Sequence, residues 1–456
     1  YSGSYWCDVM REESFQDETI ADLINEHCIA IKVDKDERTD VDKYFKQVYR
    51  LMNGQDCASP VSVFLTENLE PFYSAAYIAS QPRGNVLGFE ELLRTVHHKY
   101  HDDTSTMRKK GQEVLSYLNP KKRTIEATRL SMDVTQTIIH HANSLYDAEY
   151  GGFGHEPKFL NISTLDLLLD TYELTHERSL LTIVQQTLDT LAQSDMQDTL
   201  EGGFYRYANH KDWTSPRQEK MSYDNALLAA LYWRMYGLTQ KETYKFIAIR
   251  TLDFLLTSLR GDQLFYSHSV IKRDGSHLTD TKVTTSFNAI VIRTLLSVDT
   301  GEGRYRKIAL ETLDHLIAEH YASEQLLHTN GVEGFLEDYA FLGHALLEAY
   351  RTTEQSRYLV QAEHLAHQMI ERFYDYGFWK FSNGTLSVYD DIFDPLYPSA
   401  MATGILFLHQ LSFFVESDYN QFVFKTLEIN SYGLMRQPLS SPTMSKVMLR
   451  YLKKML

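Results

Sequence analysis

The stretch from Gly202 to Ala226 decides the fold of most of this chain. It reads Gly-Gly-Phe-Tyr-Arg-Tyr-Ala-Asn-His-Lys-Asp-Trp-Thr-Ser-Pro-Arg-Gln-Glu-Lys-Met-Ser-Tyr-Asp-Asn-Ala. The paired glycines and Pro216 indicate turns, and the apolar run that follows, Leu-Leu-Ala-Ala-Leu-Tyr-Trp, predicts a buried helix. A long, aromatic and charged loop that leads into a buried helix is expected to line a cavity.

The same arrangement recurs along the chain after residue 129. Apolar residues at helical spacing predict twelve helices, at 131–146, 162–176, 178–195, 221–237, 241–259, 284–298, 303–322, 336–352, 355–374, 398–413, 417–427 and 441–455. Short links alternate with long loops that are rich in glycine and aromatic residues. Six helical hairpins around a ring would place all the long loops at one end, so the pattern predicts an all-α (α/α)6 toroid. A helical solenoid is the alternative, although it would not require every second loop to be long.

A separate, smaller domain precedes the toroid. The chain has 456 residues, which is too many for one ordinary core. Alternating strands and helices predict an α/β domain at 1–115, a linker at 116–129 and the toroid at 130–456. Within the α/β domain, the expected helices lie at 17–26, 40–52 and 89–100, and the expected strands at 29–33, 61–66 and 71–77.

Two features of this first domain resemble a thioredoxin fold. Trp6 and Cys7 are expected to begin a helix, and Pro60 precedes a strand. In thioredoxins, likewise, a helix that begins with Cys-x-x-Cys faces a loop with a cis-proline. Here Ser4 stands where the first cysteine is expected. A serine hydroxyl cannot form a mixed disulfide, so Ser4, Cys7 and Pro60 are predicted to form a degenerate redox site. The alternative is a thiol redox protein in which Cys7 pairs with Cys57.

Motifs in both domains resemble one family. The matching stretches are Trp6 to Phe15, Pro60 to Thr66, Tyr150 to Phe159, Gly202 to Tyr207, Glu219 to Ala226, Lys282 to Asn288, and Phe335 to Ala340. They resemble the spermatogenesis-associated, thioredoxin-like-domain protein family, whose toroid is similar to six-hairpin glycosidases and the N-acylglucosamine 2-epimerase group. The family pattern has Cys-His-Trp-Cys at positions 4–7 and Gly-Gly-Trp-Pro at 57–60, so both signatures are altered here. The resemblance also implies a helix and a central strand before residue 1, and we therefore expect a truncated first domain.

The composition argues against several kinds of partner. The net charge of −16 argues against nucleic acid, which usually meets a basic surface, and against an anionic membrane. No apolar run approaches the roughly 18 residues that a membrane span requires. Three cysteines fit a reducing compartment, so a cytoplasmic location is expected.

The candidate catalytic residues are polar side chains at the starts of helices that follow long loops. A glycosidase would use two carboxylates, for which the candidates are Asp224 and Asp338, with Glu219 and Glu337 in reserve. An epimerase or isomerase would use a base that removes a proton beside a carbonyl. The candidate bases are His155, His210, His268 and His328. Acidic residues in a first helical turn are also ordinary caps, so the hypothesis depends on their convergence from several hairpins.

The predicted ligand is a small molecule of the sugar type. Aromatic residues would stack on it, and Arg206 would bind a polar or anionic substituent. The candidate ligand-binding residues are Phe153, Lys158, Phe204, Tyr205, Arg206, Tyr207, Lys220, Tyr223, Asn225, Asn288, Tyr339 and Ser399, with Trp213 as a further stacking residue. No metal or other cofactor is expected, because the loops have no histidine pair at metal-ligand spacing. The alternative is a module that binds a sugar or a protein without catalysis, with a protein partner on the thioredoxin-like domain.

Overall fold

A computed structural model describes residues 1, 3–84, 86–122, 124–272, 274–322, 325–394 and 396–456. The chain divides into two units. The first contains Tyr1–Thr124 together with the short segments Lys272–Asp274 and Ser382–Tyr389, and the second contains Ile125–Ile271, Gly275–Phe381 and Asp390–Leu456.

The first unit combines helices with one β-hairpin. Its helices are α1 (Tyr5–Met10), which continues as a π-turn (Arg11–Phe15), α2 (Glu18–His27), α3 (Thr39–Asn53), α4 (Phe89–Asp102) and α5 (Thr104–Tyr117). Strands β1 (Ser62–Leu65) and β2 (Pro71–Ala75) pair antiparallel. Met10, Ile20, Leu23 and Phe89 lie at the centre of its apolar core. Helix α5 was not predicted.

One predicted strand of this unit is absent. Residues Ile29 to Val33 lie outside any helix or strand, and residues Ile29 and Ile31 are 93% and 77% exposed. Within the described residues, β1 and β2 pair only with each other, so this segment has no neighbouring strand to complete its hydrogen bonds. The prediction of a strand at 29–33 is therefore wrong.

The second unit contains the twelve predicted helices. They are α6 (Val134–Leu145), α7 (Ile162–Thr175), α8 (Arg178–Gln193), α9 (Ser222–Thr239), α10 (Glu242–Ser258), α11 (Thr285–Ser297), α12 (Arg304–His320), α13 (Leu336–Thr353), α14 (Ser356–Phe373), α15 (Ala400–Leu411), α16 (Asn420–Arg436) and α17 (Pro442–Lys453). Apolar residues located each of them, because the outer helices bury one face and the inner helices α11, α13 and α15 are buried over most of their surface.

The odd-numbered helices form a closed inner ring. Helix α7 packs against α9, α9 against α11, α11 against α13, α13 against α15, α15 against α17, and α17 against α7. The even-numbered helices pack outside this ring. Five of the six inner helices begin where a long loop ends, so the long loops share one end of the toroid. The exception is α17, which follows α16 after the short link 437–441. The predicted (α/α)6 toroid is thereby confirmed.

The long loops contain short β-strands that the sequence did not predict. Strand β3 (Lys158–Phe159) pairs with β4 (Tyr207–Ala208), and β5 (Glu219–Met221), β6 (His268–Ile271) and β7 (His277–Asp280) form a three-stranded sheet. Two further hairpins follow, β8 (Leu327–Thr329) with β9 (Val332–Glu333) and β10 (Tyr374–Asp375) with β11 (Phe378–Trp379). Because β3–β4 and β5–β6 connect successive loops, this end of the ring is joined by backbone hydrogen bonds.

Asparagine side chains hold the loops to the inner helices. The Asn225 Oδ1 accepts from the Phe204 amide at 2.7 Å, and its Nδ2 donates to the carbonyls of Phe204 and Met221. Asn288 makes the same contacts with Phe265 in the next hairpin. These amide groups bind the backbone, so Asn225 and Asn288 have structural roles, and their binding of a ligand stays a prediction.

Gly203 supports this arrangement, and its replacement with alanine is expected to destabilise the toroid. Its φ is +76°, and an added Cβ would lie 2.6 Å from the Phe254 ring and 2.9 Å from Asn225 Oδ1. Left-handed backbone strain and overpacking together predict a loss of about 2–5 kcal/mol. Thermal unfolding of Gly203→Ala should be compared with Gly154→Ala, which has φ +86° but open space around the Cβ. Equal transition temperatures for the two variants would contradict the packing argument.

Candidate functional site

Arg206 and Glu219, two predicted site residues, form a buried ion pair in the second long loop. The Arg206 Nη1 lies 3.1 Å from the Glu219 Oε2, and the exposed fractions of the two residues are 7% and 3%. The Arg206 amide also donates to the Glu219 carbonyl at 2.9 Å. The two predicted residues therefore neutralise each other and stabilise the loop.

Glu337, Asp338 and His328 converge at the start of α13. Asp338 accepts hydrogen bonds from the amides of Ser286 (3.1 Å) and Phe335 (2.8 Å), and its carboxylate lies 3.0 Å from the His328 Nδ1. Glu337 Oε1 lies 3.8 Å from the same nitrogen. Potential ligand atoms of the three residues lie within 4.8 Å of one another, close enough to bind one cation. Asp338 already joins two hairpins through backbone amides, which is a structural role.

An aromatic cluster lies beside Glu337. The Tyr397 hydroxyl donates to Glu337 Oε2 at 2.8 Å. The Tyr223 ring centroid lies 4.8 Å from that of Phe287 and 4.9 Å from that of Tyr397. Phe341 lies 6.1 Å from Tyr397 and faces the interior of the ring. The predicted residues Tyr223 and Glu337 are thus brought together through Tyr397. Asp224 is buried in the first turn of α9.

The two predicted ligand-binding lysines have structural roles instead. Lys158 is fully buried, and its Nζ lies 2.7 Å from Asp147 and 2.9 Å from the Lys211 carbonyl. Lys220 has the equivalent position in the next loop, where its Nζ lies 2.6 Å from Asp198 and 3.1 Å from the Gly202 carbonyl. Each ammonium group is neutralised by an aspartate, and Lys220 also holds the Gly-Gly turn, so both lysines have structural roles and their contact with a ligand stays a prediction.

Most of the other predicted ligand-binding residues belong to the core or to caps. Phe153, Phe204, Trp213 and Tyr339 are buried. Ser399 caps α15 by accepting from the Ala402 amide at 3.1 Å. The remaining two are half-buried: Tyr205 donates to Asp198, and burial raises its pKa to about 12, while Tyr207 packs on Phe159 at 4.8 Å.

The predicted catalytic histidines are not brought together. His155 and His210 are exposed, and His210 lies 3.7 Å from Glu156. His268 is buried in β6 beside Ser267, and His328 is held by Asp338. The structure therefore does not gather the four histidines into one site, although His328 has a carboxylate partner in Asp338.

The degenerate redox site keeps the predicted backbone features. Ser4 caps α1 by accepting from the Cys7 amide at 3.4 Å, and the Ser59–Pro60 bond is cis. Cys7, Cys28 and Cys57 are all free thiols. Burial raises the pKa of the Cys57 thiol to about 11, so this group is not a thiolate at neutral pH.

The described part of the toroid has a central cavity of about 430 Å³ inside the inner ring. Side chains from all six inner helices line it, among them Asp166, Arg234, Arg293, His344, Glu348 and Lys446. None of the four residues Arg206, Glu219, Asp224 and Asp338 is among its lining residues. We therefore place the candidate site inside the ring of inner helices rather than among the long loops.

One side of the cavity is an ion-pair network between α7, α9 and α17. Arg234 lies 2.6 Å from Asp166 and 2.7 Å from Asp170, and Arg450 lies 2.8 Å from Asp170. Lys446 is paired with Asp166. Burial raises the pKa values of both aspartates, but the combined charge of the nearby cations outweighs it and holds both pKa values below their usual range. Glu173 lies 2.6 Å from Arg234, so three carboxylates face three cations and the network balances its own charge.

Arg293 lies outside this network. It projects from α11 into the cavity, and no described carboxylate lies within the 4.0 Å that defines an ion pair. Burial lowers its pKa, while Glu348 and Asp166 act in the opposite direction from a greater distance. Glu348 is itself paired with Arg351 at 3.0 Å. An arginine stays charged in proteins, so the cavity contains one cation without a close counter-charge among the described residues.

His344 is the ionisable group of the cavity that remains neutral. It is 2% exposed, and neither ring nitrogen meets a described residue in hydrogen-bond geometry, although Gln410 is near enough to favour its protonated form. Burial and then the nearby Arg293 charge lower its pKa well below the ordinary value. An uncharged imidazole facing a cavity can accept a proton from a ligand.

Sequence reasoning missed these cavity residues although a signal was present. Asp166 and Asp170 are spaced by four within the apolar run of α7, and Arg293 interrupts the run Ile-Val-Ile-Arg-Thr-Leu-Leu of α11. Charged residues on an otherwise buried helix need partners or a function. That rule, applied to the inner helices, would have located the cavity.

The fold of the second unit is that of sugar epimerases, isomerases and glycosidases with a helical toroid. A D-mannose isomerase matches with a TM-score of 0.56 and 14% identity, over 70% of this chain and 96% of that chain. The cellobiose 2-epimerase of Spirochaeta thermophila matches with a TM-score of 0.56 and 12% identity, over 77% of this chain and 98% of that chain. The GH76 alpha-mannanase of Bacteroides thetaiotaomicron matches with a TM-score of 0.53 and 13% identity, over 70% of this chain and 95% of that chain. At these identities the likeness concerns the fold alone.

Three proteins or families are similar to this chain in sequence. The family described as Thioredox_DsbH, protein of unknown function, DUF255, matches residues 1–119. An uncharacterised protein of Caenorhabditis elegans is 30% identical over 63% of this chain and 40% of its own length. Spermatogenesis-associated protein 20 of Homo sapiens is 32% identical over 57% of this chain and 34% of its own length.

The resemblance to the spermatogenesis-associated, thioredoxin-like-domain family is thereby confirmed, as is the thioredoxin-like first unit. The chain spans well under half of the length of these curated relatives. Among the described helices, none combines the length and the apolar character that a bilayer crossing requires.

Proposed function

We propose that the toroid binds a sugar-type ligand in its central cavity and that His344 accepts a proton from it. The reaction class is isomerisation or epimerisation through removal of a proton beside a carbonyl. The supporting observation is a neutral, buried imidazole that lines a cavity of about 430 Å³ and whose ring nitrogens make no well-aligned hydrogen bond to the described residues. Small-molecule sites usually have volumes of about 300–1,000 Å³.

A glycosidase mechanism has less support in this cavity. It needs one carboxyl group with a raised pKa to act as the acid. Asp166 and Asp170 instead have lowered pKa values, and Glu348 is paired with Arg351. Burial raises the pKa of Asp394 to about 6, but its two oxygens accept the amides of Ser399 and Thr443. Glycoside hydrolysis therefore stays the alternative.

Hydrogen exchange at the sugar tests the proposal directly. The purified chain should be incubated in D₂O with panels of reducing aldoses and ketoses, and loss of the proton beside the carbonyl followed by NMR. An isomerase or epimerase exchanges this proton with solvent in at least one sugar. Binding without exchange or conversion in any sugar would support the second candidate, a non-catalytic binding module, which the same cavity could also serve.

The thioredoxin-like unit is proposed to lack dithiol–disulfide activity. Because the pKa of Cys57 is about 11, its alkylation by iodoacetamide is expected to accelerate about tenfold per pH unit between pH 7 and 10. The chain should not accelerate the reduction of insulin by dithiothreitol. A Cys7–Cys57 disulfide in air-oxidised protein, detected by mass spectrometry, would overturn this prediction. The protein partner of this unit and the cytoplasmic location stay predictions.

A further inference from the structure

We propose that the ligand of the central cavity has an anionic group, a carboxylate or a phosphate, which Arg293 binds. The ligand class is therefore a sugar acid or a sugar phosphate. This inference rests on the proposed sugar-binding function for the sugar part of the ligand, whereas the anionic part follows from the charges of the cavity alone.

The first step concerns the four cations that line the cavity. Arg234, Lys446 and Arg450 each have a carboxylate partner in the ion-pair network. Arg293 has none within ion-pair distance among the residues that the structure describes. An enclosed cation without a counter-charge is unfavourable. Binding of an anion beside Arg293 would be favourable, because the anion supplies the counter-charge that the protein does not.

The second step concerns geometry. A guanidinium group presents two parallel N–H donors that match the two oxygens of a carboxylate or a phosphate. Arg293 lies on α11, and its charge acts on the His344 imidazole of the neighbouring helix α13. An anion on Arg293 would therefore hold the rest of the sugar against the proposed proton acceptor.

The test is isothermal titration calorimetry with the full chain at constant ionic strength. The probes are glucose, glucuronate, glucose 6-phosphate, acetate and inorganic phosphate. At least one anionic sugar is expected to bind about 10–100-fold more tightly than glucose, the gain that charge-assisted hydrogen bonds give. Arg293→Met should remove this difference. The control Arg304→Met alters an exposed arginine paired with Asp253 and should leave it unchanged.

The outcomes separate the two proposals. Glucose binding as tightly as both charged sugars would overturn the anion site and leave the sugar site standing. Acetate or phosphate binding as tightly as the sugars would support the anion site and contradict the sugar site. Preference for glucuronate or for glucose 6-phosphate identifies the group. Ligand-free Arg293→Met is also expected to melt at a higher temperature, because it removes an unpaired cation; a lower temperature would count against the inference.

Discussion

His344→Asn is expected to lower the rate of sugar proton exchange by about 10²–10⁴-fold, the usual contribution of a positioned general base. Asparagine keeps a polar side chain of similar size but cannot accept a proton at neutral pH. Ligand affinity should change by only a few-fold, since the imidazole acts on the transition state. A loss confined to affinity, with the exchange rate at saturation unchanged, would show that His344 only binds.

The pH dependence distinguishes His344 from an exposed histidine. Its pKa lies well below the ordinary value of about 6.5, so the imidazole stays neutral as the pH falls through 6.5. The exchange rate should therefore stay constant there and decline only at lower pH. The control His315→Asn changes a partly exposed histidine of α12 beside Glu319 and should leave the profile unchanged. A decline centred near pH 6.5 would contradict the assignment.

Asp170→Asn is expected to destabilise the toroid by about 3–5 kcal/mol, because breaking a buried ion network leaves its cations uncompensated. The Asp170 carboxylate lies within 2.8 Å of both Arg234 and Arg450, and the residue is 5% exposed. The measurement is thermal unfolding at pH 7. The control Glu311→Gln breaks an exposed pair with Lys307 at 3.9 Å and should change stability by less than about 1 kcal/mol.

The same network predicts loss of stability in acid. The folded-state pKa of Asp170 is lowered, so its contribution is present above its unfolded value of about 3.9 and is lost as the pH falls through the folded value. The difference in stability between the parent chain and Asp170→Asn should therefore shrink below pH 4. A difference that stays constant from pH 7 to pH 3 would exclude this linkage.

The fold could be predicted from the sequence because its determinants are local. Each of the twelve helices has its own run or period of apolar residues, and the alternation of short links with five long loops indicates the ring. The prediction of a strand at 29–33 was wrong because a strand forms only beside a neighbouring strand, which can be distant in sequence and which the local pattern does not show.

The site was harder to predict than the fold. Lys158 and Lys220 appeared to be loop residues available to a ligand, but Asp147 and Asp198 bury them. Asp170 and Arg450 meet although they are 280 positions apart. No local pattern indicates that such distant residues meet. Functional residues were therefore predicted in the polar loops and not on the inner helices.

The pairing of Asp170 with Arg450 also concerns how the protein is made. Helix α7 is synthesised 280 residues before its partner α17. At about 5–20 residues per second, the ribosome needs roughly 15–60 s for that distance. During this interval Asp166 and Asp170 face water without the cations of α17, and the first helical hairpins form an open arc. Ring closure must therefore follow translation of the last helix, and the nascent arc exposes apolar helix faces that a chaperone could shield.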